Sequence, residues 1–227
     1  MCAAKVTPLP TQDDGQTDSL PGNVKVMRQD WLNVAMDLLV SDGVEQVKVL
    51  TIGERLEVSR SSFYWYFKSR QDLLDALLEH WEQTNTAALI GQSKAPAETI
   101  TEAVCNVFRC FVDPSLFNNA LDFAVREWAR RSGKVRTVLD RSDSARIGAL
   151  EEMFRRFGYP QKESLARART LYYMQIGYNT ADLKEDMSER LKLLPDYLVA
   201  FTGKKGRPKE IRAFEVFAKS VEERTVQ

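Results

Sequence analysis

Hydrophobic positions along the chain recur with a helical period almost from the start of its ordered-looking part. In "RQDWLNVAMDLLVSDG", Trp31, Val34, Ala35, Leu38 and Leu39 follow the i, i+3, i+4, i+7, i+8 stripe of an amphipathic helix, and Gly43 stands where such a helix ends. The next stretch, "VLTIGERLEVSRSSFYWYF", predicts two short helices. Thr51 and Glu54 have capping-box spacing and mark the first, ending near Leu56; Ser59 is an N-cap for the second, over Arg60 to Phe67. Two short helices joined by a three- or four-residue turn are the pattern of a helix-turn-helix. From Arg70 a longer helix carries Leu73, Leu74, Leu77, Leu78 and Trp81 as its stripe.

Beyond it the same period returns in Ile100 to Phe111, in "ALDFAVREWARRS" up to Gly133, and in "VRTVLDRSDSARIGALEEMFRRFG", ended by Gly158 and Pro160. "KESLARARTLYYMQIGYNTADL" predicts a helix interrupted near Gly177, and "SERLKLLPDYLVAFTG" one kinked or broken at Pro195. No segment alternates with the period of two that a half-buried strand requires. The expected fold is all-α, with an N-terminal helix-turn-helix domain followed by a C-terminal helical bundle. The expected boundaries are a disordered leader at 1–23, the helix-turn-helix at 24–72, the bundle at 73–203 and a basic connector with a final helix at 204–227.

Placed on a helical wheel, the five consecutive aromatic residues Phe63 to Phe67 divide between two faces. Phe63 and Phe67, four apart, share the face toward the core. Ser61, Ser62, Tyr64 and Trp65 point the other way, with Arg60 and Tyr66 at the borders. Small hydroxyls let a helix sink into the major groove, and an arginine beside them can pair with guanine O6 and N7. Tyrosine hydroxyls and the cations Lys68 and Arg70 suit phosphate oxygens. The alternative for Tyr64 and Tyr66 is packing against the neighbouring helices.

This stretch resembles the DNA-binding domain of TetR-family transcriptional regulators, whose motif runs I-A-x-x-A-G-V-S-x-x-x-[LIF]-Y-x-[HY]-F-x-[SN]-K-x-x-L. Ile52, Gly53, Leu56, Glu57, Val58, Ser59, Phe63, Tyr64, Tyr66, Phe67, Ser69, Arg70 and Leu73 occupy its positions without a gap. The resemblance spans about fifty residues. Four positions depart from the commonest form: Gly53 and Leu56 for alanine, Glu57 for the turn glycine and Arg70 for lysine. Glu57 is the least comfortable, because a glycine there relieves a strained backbone.

The resemblance implies that Arg60, Ser61, Ser62 and Trp65 face base edges. It implies that Tyr64, Tyr66 and Arg70 hold phosphates, with Lys48, Thr51 and Lys68 as further contacts. It also implies a homodimer on a palindromic double-stranded DNA operator, with Ile147, Leu150, Phe154, Leu171, Met174 and Ile176 as its contact. A small apolar or aromatic effector would release the repressor. Trp81, Phe108, Phe111, Phe123, Trp128, Tyr172, Tyr173 and Met174 are the candidate effector-pocket residues, although each also suits an ordinary core. Arg126, Gln175 and Asn179 are candidate polar anchors. A protein of the same fold that binds DNA without any ligand, as an architectural or nucleoid-associated factor, is the alternative.

Composition narrows the remaining chemistry. Lys and Arg balance Asp and Glu at 32 each, so any basic surface for DNA must be local. Cys2, Cys105 and Cys110 are too few and scattered for a disulfide framework, and with one histidine, His80, no zinc set is expected. The sequence carries no GxGxxG, P-loop, GxSxG or HExxH motif, so neither an enzyme nor a cofactor is expected. With no membrane span and no secretory signal in the pattern, a cytoplasmic location is expected. "KKGRPKE" (204–210) contains the Gly206-Arg207-Pro208 core of an AT-hook, which can enter an A·T minor groove; a basic connector to the last helix is the preferred reading.

Overall fold

The computed structural model describes residues 26–226, with 182 and 184 excepted. The 1–23 leader and Cys2 lie outside the described residues. Every regular element among the described residues is helical: α1 (Arg28–Asp42), α2 (Val49–Arg55), α3 (Arg60–Phe63), α4 (Arg70–Trp81), α5 (Ala87–Lys94), α6 (Ile100–Val112), α7 (Asn119–Ala129), α8 (Gly133–Arg156), α9 (Gln161–Thr180), α10 (Met187–Thr202) and α11 (Pro208–Val226). A single 3-10 turn, Val44–Gln46, follows α1, and a π-helical segment, Glu82–Thr86, makes α4 and α5 one continuous rod.

Two cores result. In the N-terminal head, Trp31, Leu38, Ile52, Phe63, Phe67, Leu73, Leu77 and Trp81 are all buried, so α4 closes the head's core well past residue 72. Leu121, Val125, Trp128, Val135 and Leu139 of α7 and α8 join the same cluster, which seats the head on the body. The body core centres on α6, buried almost all round, with Leu150, Met153 and Phe154 of α8, Leu171 and Tyr172 of α9, Leu194 and Leu198 of α10, and Phe214 and Ala218 of α11 against it. The last helix is therefore part of the body. α6 nevertheless keeps a polar side, on which buried Thr101 donates to Glu210 at 2.7 Å and Asn106 to Pro96 O at 3.2 Å.

Several local expectations differ from the structure. Helix α2 begins two residues before Thr51, which becomes its third residue, and Lys48 holds the N-cap position. The helix from Ser59 is shorter than expected: α3 ends at Phe63, and i→i+3 hydrogen bonds through Trp65 and Tyr66 tighten the rest. Ser59 caps by position only; its hydroxyl pairs with that of Ser61 at 2.8 Å. The true side-chain cap of this region is Ser69, whose oxygen accepts from the Asp72 amide at 3.1 Å while Asp72 accepts from the Lys68 amide at 2.8 Å. Neither Gly177 nor Pro195 interrupts its helix: α9 and α10 run through them. Leu150, Phe154 and Leu171 are fully buried within the chain and so cannot form a contact with a second copy. The sides of α8 and α9 open to solvent carry instead Ser144, Ala145 and Gly148, and Leu165, Arg169 and Tyr173.

Candidate nucleic-acid interface and ligand cavity

The head is built to hold α3 at its surface. Phe63 and Phe67 stack at 5.4 Å, and Trp31 meets Phe63 edge-on at 5.2 Å, which pins the inner face of α3 to α1. The turn before α3 is set by Glu57, the one non-glycine with positive φ among the described residues, at +55°. Its amide donates to Glu54 O at 3.2 Å and the Val58 amide to Gly53 O at 3.0 Å. Those two bonds are a Schellman ending to α2, and they hold glutamate in the left-handed conformation that a glycine takes without cost.

On the outer face, Arg60, Ser61, Tyr64 and Trp65 are exposed, Trp65 by 79% of its surface. The Arg60 guanidinium donates to the Tyr64 hydroxyl at 3.2 Å, one helical turn on. Ser62 turns its hydroxyl back to Ser59 O at 2.7 Å. Lys48 and Lys68 lie exposed at the two flanks, Lys48 donating to Gln46 at 3.1 Å, and Thr51 is half-buried. Two of the expected phosphate contacts are already engaged within the chain. The Tyr66 hydroxyl donates to Val26 O at 2.9 Å. Arg70 donates to Val47 O at 2.6 Å and to Val44 O at 2.5 Å, tying the 44–47 turn to the start of α4.

The aromatic residues expected in one pocket are dispersed. A cavity of about 50 Å³ lies between α6, α9, α10 and α11, and Phe108, Phe111 and Met174 line it with Gln175. Sequence reasoning missed the contribution of α10 and α11, from Met187, Arg190, Leu191, Leu194, Tyr197 and Phe214. The apolar stripe of α10 was visible in the sequence; its facing partner across the bundle was not. Phe123 and Trp128 sit instead at a cleft between α1 and α7, and Tyr173 is exposed on α9. Asn179 does not line it, but accepts from Gln175 at 3.2 Å and donates to Asn119 at 2.8 Å.

Trp81, Tyr172 and Arg126 belong to a buried polar network between head and body. Asp122 accepts from Arg146 Nη1 and Arg126 Nε, each at 2.8 Å, and from Trp81 Nε1 at 2.9 Å. Arg146 has no exposed surface; its Nε donates to Thr86 at 3.0 Å, and its guanidinium lies 4.8 Å from the Trp81 ring and 5.3 Å from that of Phe117. Its Nη2 has no hydrogen-bond partner, and the two π faces are what receive that charge. Arg126 forks onto Asp143 at 2.8 and 3.0 Å, and Tyr172 donates to Asp143 at 2.6 Å. Burial alone would raise the Asp122 carboxyl, but the two guanidinium groups outweigh it and hold it below its usual range.

The remaining candidate chemistry is structural. Burial pushes the Cys105 and Cys110 thiols up to about 12, which makes them inert core residues at neutral pH. His80 is half-buried on α4, and burial lowers its pKa. Among the described residues no three His, Cys, Asp or Glu side chains converge on a metal site, and no helix is long and apolar enough to cross a membrane. At the AT-hook-like segment, Arg207 pairs with Glu98 at 3.0 Å and Pro208 opens α11.

A small all-helical head with a helix-turn-helix, carried on a larger helical body, defines the class of two-domain helix-turn-helix proteins. Residues 32–77, within the helix-turn-helix head, match the sequence profile of the family described as "Bacterial regulatory proteins, tetR family". The tetracycline repressor protein class C of Escherichia coli is 38% identical over 55 residues, 24% of this chain and 25% of that protein. The nucleoid occlusion factor SlmA of Actinobacillus pleuropneumoniae is 30% identical over 118 residues, 52% of this chain and 51% of its own. The chain thus spans between a quarter and half the length of these curated relatives. The fold as a whole is similar to that of the ketosteroid transcriptional regulator KstR2 of Mycobacterium tuberculosis, with a TM-score of 0.60 and 14% identity over 82% of this chain and 98% of that one. AmtR of Mycobacterium smegmatis is similar at a TM-score of 0.59 and 15% identity, over 89% and 96% of the two chains.

Proposed function

We propose that this chain is a cytoplasmic, sequence-specific DNA-binding transcriptional regulator, without enzymatic activity, acting as a homodimeric repressor. The observation that carries the reading is the division of α3 and the tight turns that continue it to Phe67: Phe63 and Phe67 fix one face in the core, while Arg60, Ser61, Tyr64 and Trp65 stand exposed on the other. Arg60 suits a guanine edge and Tyr64, Lys48 and Lys68 suit phosphates. Tyr66 and Arg70 contribute first by holding α4 and the 44–47 turn in place, and by reaching phosphate with whatever donors remain. One such helix reads too few bases, so two heads about 34 Å apart on a palindromic site are required. The solvent-facing sides of α8 and α9 are the surface we assign to the second copy. An effector in the cavity of α6, α9, α10 and α11 would favour a head spacing that no longer fits the operator.

The test is a salt titration of binding to the chain's own upstream DNA and to a scrambled control. A specific regulator prefers the upstream DNA and loses affinity linearly in log salt. Arg60→Ala should cost about 1–3 kcal/mol and relax base preference, whereas Lys68→Ala should weaken all sequences alike and flatten the salt slope. Unchanged preference in Arg60→Ala would refute the assignment of the reading face. A second reading, a ligand-independent architectural or nucleoid-associated protein, has support in the smallness of the cavity and in the likeness to a nucleoid occlusion factor. Equal binding to both DNAs would favour it.

A further inference from the structure

The cavity in the body is lined almost wholly by carbon and sulfur, yet one cation stands at its wall. Arg190, on the first turn of α10, is half-buried, and its guanidinium lies 4.5 Å over the ring of Tyr178. Three other arginines of the body are held by carboxylates, Arg126 by Asp143 and Asp122, Arg167 by Glu163 and Arg224 by Asp113, while Arg109 lies over the Phe217 ring. Arg190 has no ion pair among the described residues. Glu185, five residues before it, accepts instead from the Tyr178 hydroxyl. A guanidinium oriented by an aromatic face, with its donors free, is a preorganised partner for a planar carboxylate.

We propose that the cavity takes a small amphipathic carboxylate, with the carboxylate on Arg190 and an apolar tail among Phe108, Phe111, Met174 and Phe214. The proposal rests on reading the cavity as the effector site. Size limits the tail. A dry cavity of about 150 Å³ accepts benzene, and this one offers about 50 Å³. A single ring or a short chain therefore enters only if the wall gives. Met174 and Met187, unbranched and adaptable, are the residues that can move aside. Gln175, buried beside them, supplies a second polar group.

The experiment uses the full chain with three probes that share a benzyl group: phenylacetate, its methyl ester and phenethylamine. Calorimetric titration and thermal melting are read on the wild type and on Arg190→Gln. Phenylacetate should bind and raise the melting temperature, the ester and amine should bind at least about tenfold more weakly, and Arg190→Gln should remove the carboxylate's advantage while its own unliganded melt stays near wild type. Equal stabilisation by the ester or the amine, or unchanged phenylacetate affinity in Arg190→Gln, overturns the carboxylate assignment and leaves the effector-site reading standing. If none of the three binds, the carboxylate assignment falls together with the effector-site reading.

Discussion

Asp122→Asn isolates the energetics of the network between head and body. The replacement keeps shape and keeps an oxygen for Trp81, so it makes no cavity. Arg126 retains its fork onto Asp143. Arg146 does not fare as well. It is fully buried, the amide oxygen that replaces the carboxylate carries no full charge, its other partners are the hydroxyls of Thr86 and Tyr172, at 3.0 and 3.2 Å, and a guanidinium cannot deprotonate to escape. Leaving a buried charge without its counter-ion costs roughly 3–5 kcal/mol. For a chain of this size that lowers the melting temperature by roughly 6–20 °C. Removing both charges in Asp122→Asn/Arg146→Met should recover most of the loss, because an apolar replacement of a buried pair is often close to neutral. Urea denaturation, followed by tryptophan fluorescence, measures all three variants. A single-variant cost below about 1 kcal/mol, or a double variant no more stable than Asp122→Asn, would refute the account of this network.

Glu57→Gly should stabilise the head by about 0.5–1 kcal/mol in denaturant titrations, because it removes the left-handed penalty at φ +55° and gives back only part of it in unfolded-chain entropy; Glu57→Val should do the reverse. Tyr66→Phe should cost about 1 kcal/mol of stability by freeing the Val26 carbonyl. Tyr64→Phe, at an exposed ring, should leave the melt unchanged and weaken DNA binding in a gel-shift assay. Acid should unfold the protein through three carboxylates. At Asp122, Asp113 and Glu210 burial raises the pKa, but guanidinium or hydroxyl partners prevail and lower it. Groups depressed in the folded state contribute stability above their unfolded values near about 4, and that stability is lost as pH falls from there through the folded values. Thermal melts between neutral pH and pH 2 should show this decline, absent in the triple amide variant.

The head was legible because its signals are local. Phe63 and Phe67 four apart, the serines before them and Gly43 at the end of α1 each depend on neighbours within a turn or two. The turn at Glu57 was legible as a problem but not in its solution, since only the structure reveals that glutamate keeps the glycine conformation. The body resisted for a different reason. Trp81, Tyr172 and Trp128 look alike in sequence to Phe108 and Phe111, but which aromatic lines a cavity depends on what faces it from far along the chain. Trp81 meets Asp122, 41 residues on, and Tyr172 meets Arg126, 46 residues back. Periodicity says which side of a helix is buried and is silent about whether the neighbour is carbon, charge or space.

The same distant pairings join the two candidate sites. Phe111 lines the cavity and meets Phe117 edge-on at 5.3 Å. Phe117 carries the Arg146 guanidinium on its ring, and Arg146 in turn grips Thr86 and overlies Trp81, the last residue of α4. The π-helical segment between α4 and α5 is fastened on its other sides by Arg141 and Ser142 to Glu82 and by Asn85 to Asn118. A π turn costs helix hydrogen-bond geometry and persists where surrounding contacts hold it. A tail wedged against Phe111 would press on Phe117 and so on Arg146, a buried cation that ties the head's last helix to the body. That arrangement makes Phe117→Leu informative. If this contact carries the coupling, the variant should keep phenylacetate binding and DNA binding, and lose the effect of one on the other. Linkage requires that loss to be equal in both directions, so titrating ligand with and without DNA checks it twice. Coupling of wild-type size in Phe117→Leu would mean that the signal travels by another route.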